Sequence, residues 1–172
     1  MKNIVLIGMP ASGKSTLGVV LAKMLGYNFI DCDLIIQKRT KLKLYEILDN
    51  VGVDGFIKIE NEVCSNLDSE LDKEIGNVIS TGGSVVYGKE AMEYLKTIGT
   101  IVYLKVSYDN ILKRLSKGDF NTRGVVIKKG NTLKELYLER IPLYEKYADL
   151  VVDEEGTTQE DMIKKLRKTF IN

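Results

Sequence analysis

Apolar positions along the chain switch repeatedly between two spacings. Asn3–Ile7 is a short unbroken apolar run that ends at a glycine, the pattern of a strand buried on both faces. Residues 15–25 instead place Leu17, Val20, Leu21, Met24 and Leu25 at helical intervals, with Gly26 as a stop. Residues 27–31 predict a second strand. Helical stretches at about 34–50 and about 53–72 follow, the second with Phe56, Ile59, Val63, Leu67 and Leu71 on one stripe. A third strand over 77–81 runs into Gly82-Gly83. A helix near 88–97, an apolar strand over 100–106 and a helix over 108–117 come next. The polar stretch 117–131 holds Gly118, Gly124 and Gly130 and reads as a loop or lid. A helix over 132–147 leads to a strand at Leu150–Asp153. Thr157 or Thr158 then caps a last helix with Met162, Ile163, Leu166 and Phe170 on its buried side. Five strands separated by helices predict an α/β fold, a parallel sheet covered on both faces.

Composition narrows the class. A length of 172 residues suits a single domain, 1–172, with a core of about 1–116 and 132–172 and the lid between them. The 44% hydrophobic and 28% charged residues are those of a globular chain rather than a disordered one. Lys+Arg number 25 against 24 Asp+Glu, so the chain lacks the basic excess of a dedicated nucleic-acid binder. The longest uncharged run, 75–88, is rich in Gly, Ser and Thr, whereas a membrane helix needs about 20 apolar residues. The apolar run near the start is too short for a signal peptide. A cytoplasmic protein with neither nucleic acid nor membrane as partner is the expectation. The chain has no histidine, which excludes Ser–His–Asp and Cys–His catalysis and histidine-ligated metals. Its two cysteines, Cys32 and Cys64, lack the spacing of a zinc site and read as small core residues.

Gly8-Met9-Pro10-Ala11-Ser12-Gly13-Lys14-Ser15 fits G-x-x-x-x-G-K-[ST], the phosphate-binding loop, between a predicted strand and a predicted helix. Backbone N–H groups from Ala11 to Thr16 would surround phosphate oxygens, aided by the helix N-terminus. Lys14 would reach the β- and γ-phosphates, and the Ser15 hydroxyl would ligate Mg²⁺. No NKxD-type sequence for guanine recognition occurs, and the chain is short for a motor ATPase. A small ATP-dependent kinase is the reading that remains. Five arginines are few for a nucleoside monophosphate kinase, which surrounds two phosphate chains with cations: Arg39, Arg114, Arg123, Arg140 and Arg167. Asp31 and Asp33 close the second strand, where i and i+2 share a face and ligands of open α/β sheets bind. They either serve the metal shell and a substrate hydroxyl, or cap the next helix.

Together these motifs resemble the shikimate kinase family over about residues 1–153. The resemblance runs through GMPASGKST, the FIDCD strand end, Tyr45-Glu46-Ile47-Leu48, Gly52, Gly55-Phe56 and Glu60. It continues through Ser80-Thr81-Gly82-Gly83, Arg123, and Arg140-Ile141-Pro142-Leu143-Tyr144, similar to the family's R-x-P-x-Y. It implies an ATP:shikimate 3-phosphotransferase using ATP and Mg²⁺, a three-layer P-loop kinase fold with strand order 2-3-1-4-5, and a monomer. In that scheme Asp33 deprotonates the attacking hydroxyl and Asp31 acts through water on Mg²⁺. Gly82 and Gly83 approach the substrate ring, Arg123 closes over the phosphates, and Arg140 forks onto a carboxylate. Arg114 is the candidate to stack on adenine. The chain departs from the pattern where the family has a second carboxylate-gripping arginine, here Ile57, and a third loop glycine, here Ser84. The lid reads Arg123-Gly124-Val125-Val126 instead of R-P-L-L. The departures leave two alternatives: a kinase for another hydroxy acid or sugar acid, and a regulatory nucleotide-binding module.

Overall fold

Side chains alternate across a strand, and β1 (Asn3–Ile7) uses both of its faces. Ile4 and Leu6 turn to one side, Val5 and Ile7 to the other, and none is exposed to solvent. Such a strand belongs in the middle of a sheet with helices on both sides. The computed structural model, which describes residues 3–115 and 124–171, has this arrangement. Strands β2 (Asn28–Asp31), β3 (Asn77–Ser80), β4 (Gly99–Lys105) and β5 (Leu150–Asp153) join β1 in one sheet of order β2-β3-β1-β4-β5. Every pairing is parallel, with Val5 opposite Ile79 on one side and Ile101 on the other.

The two faces make two cores. Ile4, Leu6, Val78, Val102 and Leu104 pack against Leu17, Leu21 and Ala22 of α1 (Lys14–Leu25) and Met162, Ile163 and Leu166 of α7 (Gln159–Ile171). Val5, Ile7, Ile79, Ile101 and Tyr103 face the larger core. It is closed by α2 (Cys32–Thr40), α3 (Leu44–Cys64), α4 (Lys89–Ile98), α5 (Tyr108–Leu115) and α6 (Leu133–Tyr147). Burying each such aliphatic side chain contributes roughly 1.5–3 kcal/mol. Among the described residues no helix is long and apolar enough to cross a membrane.

The elements follow the hydrophobic pattern except between residues 32 and 76. The first expected helix breaks at Lys41, which takes a left-handed φ of 59°, so that α2 and α3 are separate helices. The expected break near 50–53 is a kink inside α3, where Gly52 has φ 69° and ψ −176°. The helix then stops at Cys64, short of the expected 72. Leu67 stays fully buried outside any helix. A polar cluster organises the return to the sheet. Asn77, itself buried, donates to the Asp72 carbonyl at 2.9 Å and to Asn3 Oδ1 at 2.9 Å, and accepts from the Asp72 N–H at 2.9 Å. Cys32 and Cys64 are buried free thiols of the larger core. Thr158, rather than Thr157, caps α7: its hydroxyl accepts the Asp161 N–H at 3.1 Å. Of the expected lid, 124–131 is described, and its Val125 and Val126 are buried.

Candidate active site

Beyond Ile7 the chain must turn sharply to enter α1, and three positions supply the left-handed backbone this needs. Gly8 has φ 149°, Ala11 61° and Gly13 89°. At Gly8 a Cβ would also lie 2.8 Å from the Leu104 carbonyl oxygen, so this position requires glycine. Helix α1 starts at Gly13 with no side-chain cap and no acidic residue in its first turn. Its N-terminal N–H groups are thus suited to an anion. The Lys14 ammonium curls over the loop and donates to the carbonyls of Gly8 (2.9 Å) and Met9 (2.8 Å) and to Ser12 Oγ (3.4 Å). Burial brings Lys14 down to about 8, with Asp33 opposing the shift.

The two aspartates do not share a strand. Asp31 ends β2, and Asp33 lies in the first turn of α2. Asp31 divides its carboxylate: Oδ1 accepts the N–H groups of Asp33 (3.0 Å) and Leu34 (3.3 Å), while Oδ2 accepts the Ser15 hydroxyl at 2.8 Å. Capping and contact with the Ser15 hydroxyl are therefore one residue's work. Ser15 Oγ is also 3.2 Å from Ser80 Oγ at the end of β3. Capping by Asp31 sets the first turn of α2 and so aims Asp33 into the cavity. Burial pushes the Asp33 carboxyl up to about 6, the Asp31 charge adds to this, and Lys14 opposes it.

The far wall comes from β3, α3 and α6. Gly82 and Gly83 follow β3 in close contact with other groups. A Cβ at Gly82 would collide with Glu60 Oε1 and lie 2.9 Å from Asp33 Oδ1, and one at Gly83 would lie 3.1 Å from Arg140 Nη1. Helix α6 opens with a capping box, Thr132 Oγ1 accepting the Glu135 N–H at 3.2 Å and Glu135 accepting the Thr132 N–H at 2.7 Å. It carries Arg140, fully buried, whose Nη2 donates to the Val126 carbonyl at 2.6 Å and whose Nε reaches the Tyr87 hydroxyl at 3.4 Å. Tyr144, one turn on, donates to the Gly83 carbonyl at 2.5 Å and stacks on Tyr103. Arg140 Nη1 has no hydrogen-bond partner, and the same holds for Glu60 Oε1. Buried polar atoms without partners are costly, so two of them on one cavity mark a place for polar ligand groups.

These groups meet in a cavity of about 380 Å³. It takes in Ala11, Gly13, Lys14, Ser15, Thr16, Asp31, Asp33, Gly82, Gly83 and Arg140. Ser12 is buried within the loop, against Lys14. Arg114 is not on this cavity. It donates to the Ala11 carbonyl at 3.2 Å and pairs with Glu154. Arg123 lies outside the described residues. Ile57 lines a separate cavity of about 220 Å³ beside Tyr87 and Leu136. Sequence reasoning named Glu60 within the stretch resembling the family's substrate-binding helices but gave it no individual role, although it is 1% exposed and burial pushes its carboxyl up to about 7. The signal was present: a lone carboxylate on the buried stripe Phe56, Glu60, Val63 and Cys64 of α3.

The chain is similar to known proteins over nearly its whole length. The family model described as shikimate kinase matches residues 10–170. A shikimate kinase of Clostridium botulinum (strain Okra / Type B1) is 42% identical over 97% of this chain and 95% of its own length. One of Thermodesulfovibrio yellowstonii is 38% identical over 99% and 95%. Among solved structures, shikimate kinase from Acinetobacter baumannii in complex with shikimate superposes with a TM-score of 0.85. It has 29% identity, with 99% of this chain and 93% of that chain covered.

Proposed function

The chain belongs to the shikimate kinase family, and we propose on that basis that it transfers the γ-phosphoryl group of ATP to the 3-hydroxyl of shikimate. The observation that carries the reading is the cavity itself. It joins a phosphate-loop lysine, a buried carboxylate and an unpartnered guanidinium nitrogen, which are the needs of a nucleotide, a hydroxyl and a carboxylate. The ATP phosphates lie on the N–H groups of 11–16, with Lys14 exchanging its loop carbonyls for phosphate oxygens. Asp33 accepts the proton of the attacking hydroxyl. Gly82 and Gly83 let the ring approach the backbone, and Arg140 Nη1 meets the carboxylate.

Ser15 Oγ and Asp31 Oδ2, 2.8 Å apart, are hard oxygen donors that fit Mg²⁺. Among the described residues no group of three or more acidic or thiol side chains forms an all-protein metal cage, which suits an ion shared with phosphates. Ser15 would hold Mg²⁺ directly and Asp31 through water. When bound, the ion neutralises charge on the transferring phosphoryl group. The placement of Arg123 over the phosphates and of Arg114 against adenine are proposals from the sequence. The family resemblance implies a monomer, and two buried free thiols suit a reducing, cytoplasmic setting.

The test is ADP release by the purified protein with MgATP and shikimate, beside quinate, gluconate and nucleoside monophosphates. Saturable turnover with shikimate is expected. Because Ile57 brings no cation to the cavity, Lys14 and Arg140 are the cations lining it among the described residues. Arg140→Ala should therefore raise the KM for shikimate at least 10- to 100-fold with ATP binding retained. Turnover with gluconate alone would replace shikimate by another hydroxy acid.

A further inference from the structure

We propose that Ser84 is a positioning residue of the substrate site: its hydroxyl holds one oxygen of the Glu60 carboxyl so that the other, between Asp33 and Gly82, accepts a substrate hydroxyl. The inference rests on the shikimate kinase reading above. Ser84 stands where the family resemblance places a third loop glycine. Its backbone (φ −95°, ψ 0°) is open to any residue, so the side chain is free to vary. That side chain is 1% exposed and donates a short hydrogen bond to Glu60 Oε2. Glu60 Oε1 is buried without a partner, at the position from which Gly82 withholds a Cβ. Asp33 Oδ1 borders the same position, at 2.9 Å. A carboxyl with one oxygen tied and one bare has a fixed direction, and Glu60 lines the same cavity as Asp33, Gly82 and Arg140.

The pairing also sets the charge state. Glu60 on α3 is faced by Asp33 of α2, Lys14 of α1, Arg140 and Tyr144 of α6, and Cys64 one turn along its own helix. Burial pushes its carboxyl up, the Ser84 hydrogen bond pulls it back, and Asp33 works against that pull while Arg140 and Lys14 assist it. Glu60 accepts a hydroxyl proton best when ionised. Loss of the Ser84 hydroxyl therefore shifts the ionisation of Glu60 to higher pH.

The experiment measures steady-state kinetics with shikimate across pH 5–9 for Ser84→Ala, Ser84→Thr, Glu60→Gln and the double variant Glu60→Gln/Ser84→Ala, with melting curves for each. Ser84→Ala is expected to raise the KM for shikimate about tenfold. The KM for ATP and the melting temperature stay near wild type, and the acidic limb of kcat/KM moves to higher pH. Ser84→Thr, which keeps a hydroxyl, recovers most of the affinity. In the Glu60→Gln background Ser84→Ala adds little, because the two act as a unit. Unchanged KM and pH profile in Ser84→Ala would overturn the inference, as would a full additional loss in the double variant. A fall in melting temperature with both KM values rising together would reduce Ser84 to a structural part. An active wild type indifferent to Ser84→Ala defeats this inference alone, whereas a wild type inert toward shikimate defeats the kinase reading as well.

Discussion

Ala11 holds a left-handed φ of 61° in the middle of the phosphate loop, where a Cβ is strained by about 1–2 kcal/mol. Its carbonyl is gripped by Arg114, so the loop geometry is fixed from outside as well as by its glycines. Ala11→Gly should relieve the strain, less what glycine loses in chain entropy, for a net gain of about 0.5–1 kcal/mol. Urea denaturation measures this, and a destabilised variant would contradict the strain argument. Asp31 makes the corresponding point for polar groups. One oxygen builds a helix and the other meets Ser15, so a helix cap and the proposed role beside Mg²⁺ are not competing descriptions. Spacing in the sequence leaves the two open because it does not assign separate tasks to the oxygens of one carboxylate.

At the scale of elements, the five strands, the phosphate loop and five of the seven described helices follow from periodicity and glycine placement. The exception lies between residues 32 and 76. Lys41 ends α2 in a left-handed conformation that non-glycine residues seldom take, and nothing in its side chain announces it. The apolar stripe extends to Leu67 and Leu71, but past Cys64 isolated turn bonds such as Glu70 N–H to the Leu67 carbonyl replace the helix, and Asn77 holds Asp72. Periodicity registers burial, and burial continued after the helix stopped. Periodicity likewise assigns Glu60 no task of its own, because its position on the stripe is that of a core residue. Gly52 marks a real break, though as a kink. Its φ 69°, ψ −176° is a glycine-only conformation, and open space surrounds the place a Cβ would take. Gly52→Ala should thus cost about 1–3 kcal/mol from backbone strain alone, read as a lower denaturation midpoint. An unchanged midpoint would mean that α3 straightens freely.

At the scale of the whole molecule, the site collects at the carboxyl ends of β1, β2 and β3, with Arg140 entering from α6. Gathering buried charges there opposes stability. Asp33 titrates at about 6 in the fold against 3.8 in the unfolded chain. A raised carboxyl favours the fold fully below pH 4, and that contribution is lost as pH rises through 6. Without nucleotide or divalent cation, Asp33→Asn should therefore melt higher than wild type at pH 7, by at most on the order of 3 kcal/mol. The difference should shrink toward pH 4, and equal melting temperatures at pH 7 would show that Asp33 is not held at a cost.

The reaction proposed for this site is phosphoryl transfer to shikimate with Asp33 taking the hydroxyl proton. Phosphorus NMR of wild type and Asp33→Asn, each incubated with MgATP and shikimate, tests it most directly. The wild type should form a phosphate ester on the 3-oxygen together with ADP, and Asp33→Asn should bind ATP with transfer lowered by at least about 100-fold. A wild type that yields only inorganic phosphate, or an Asp33→Asn variant that forms the ester at the wild-type rate, would contradict it.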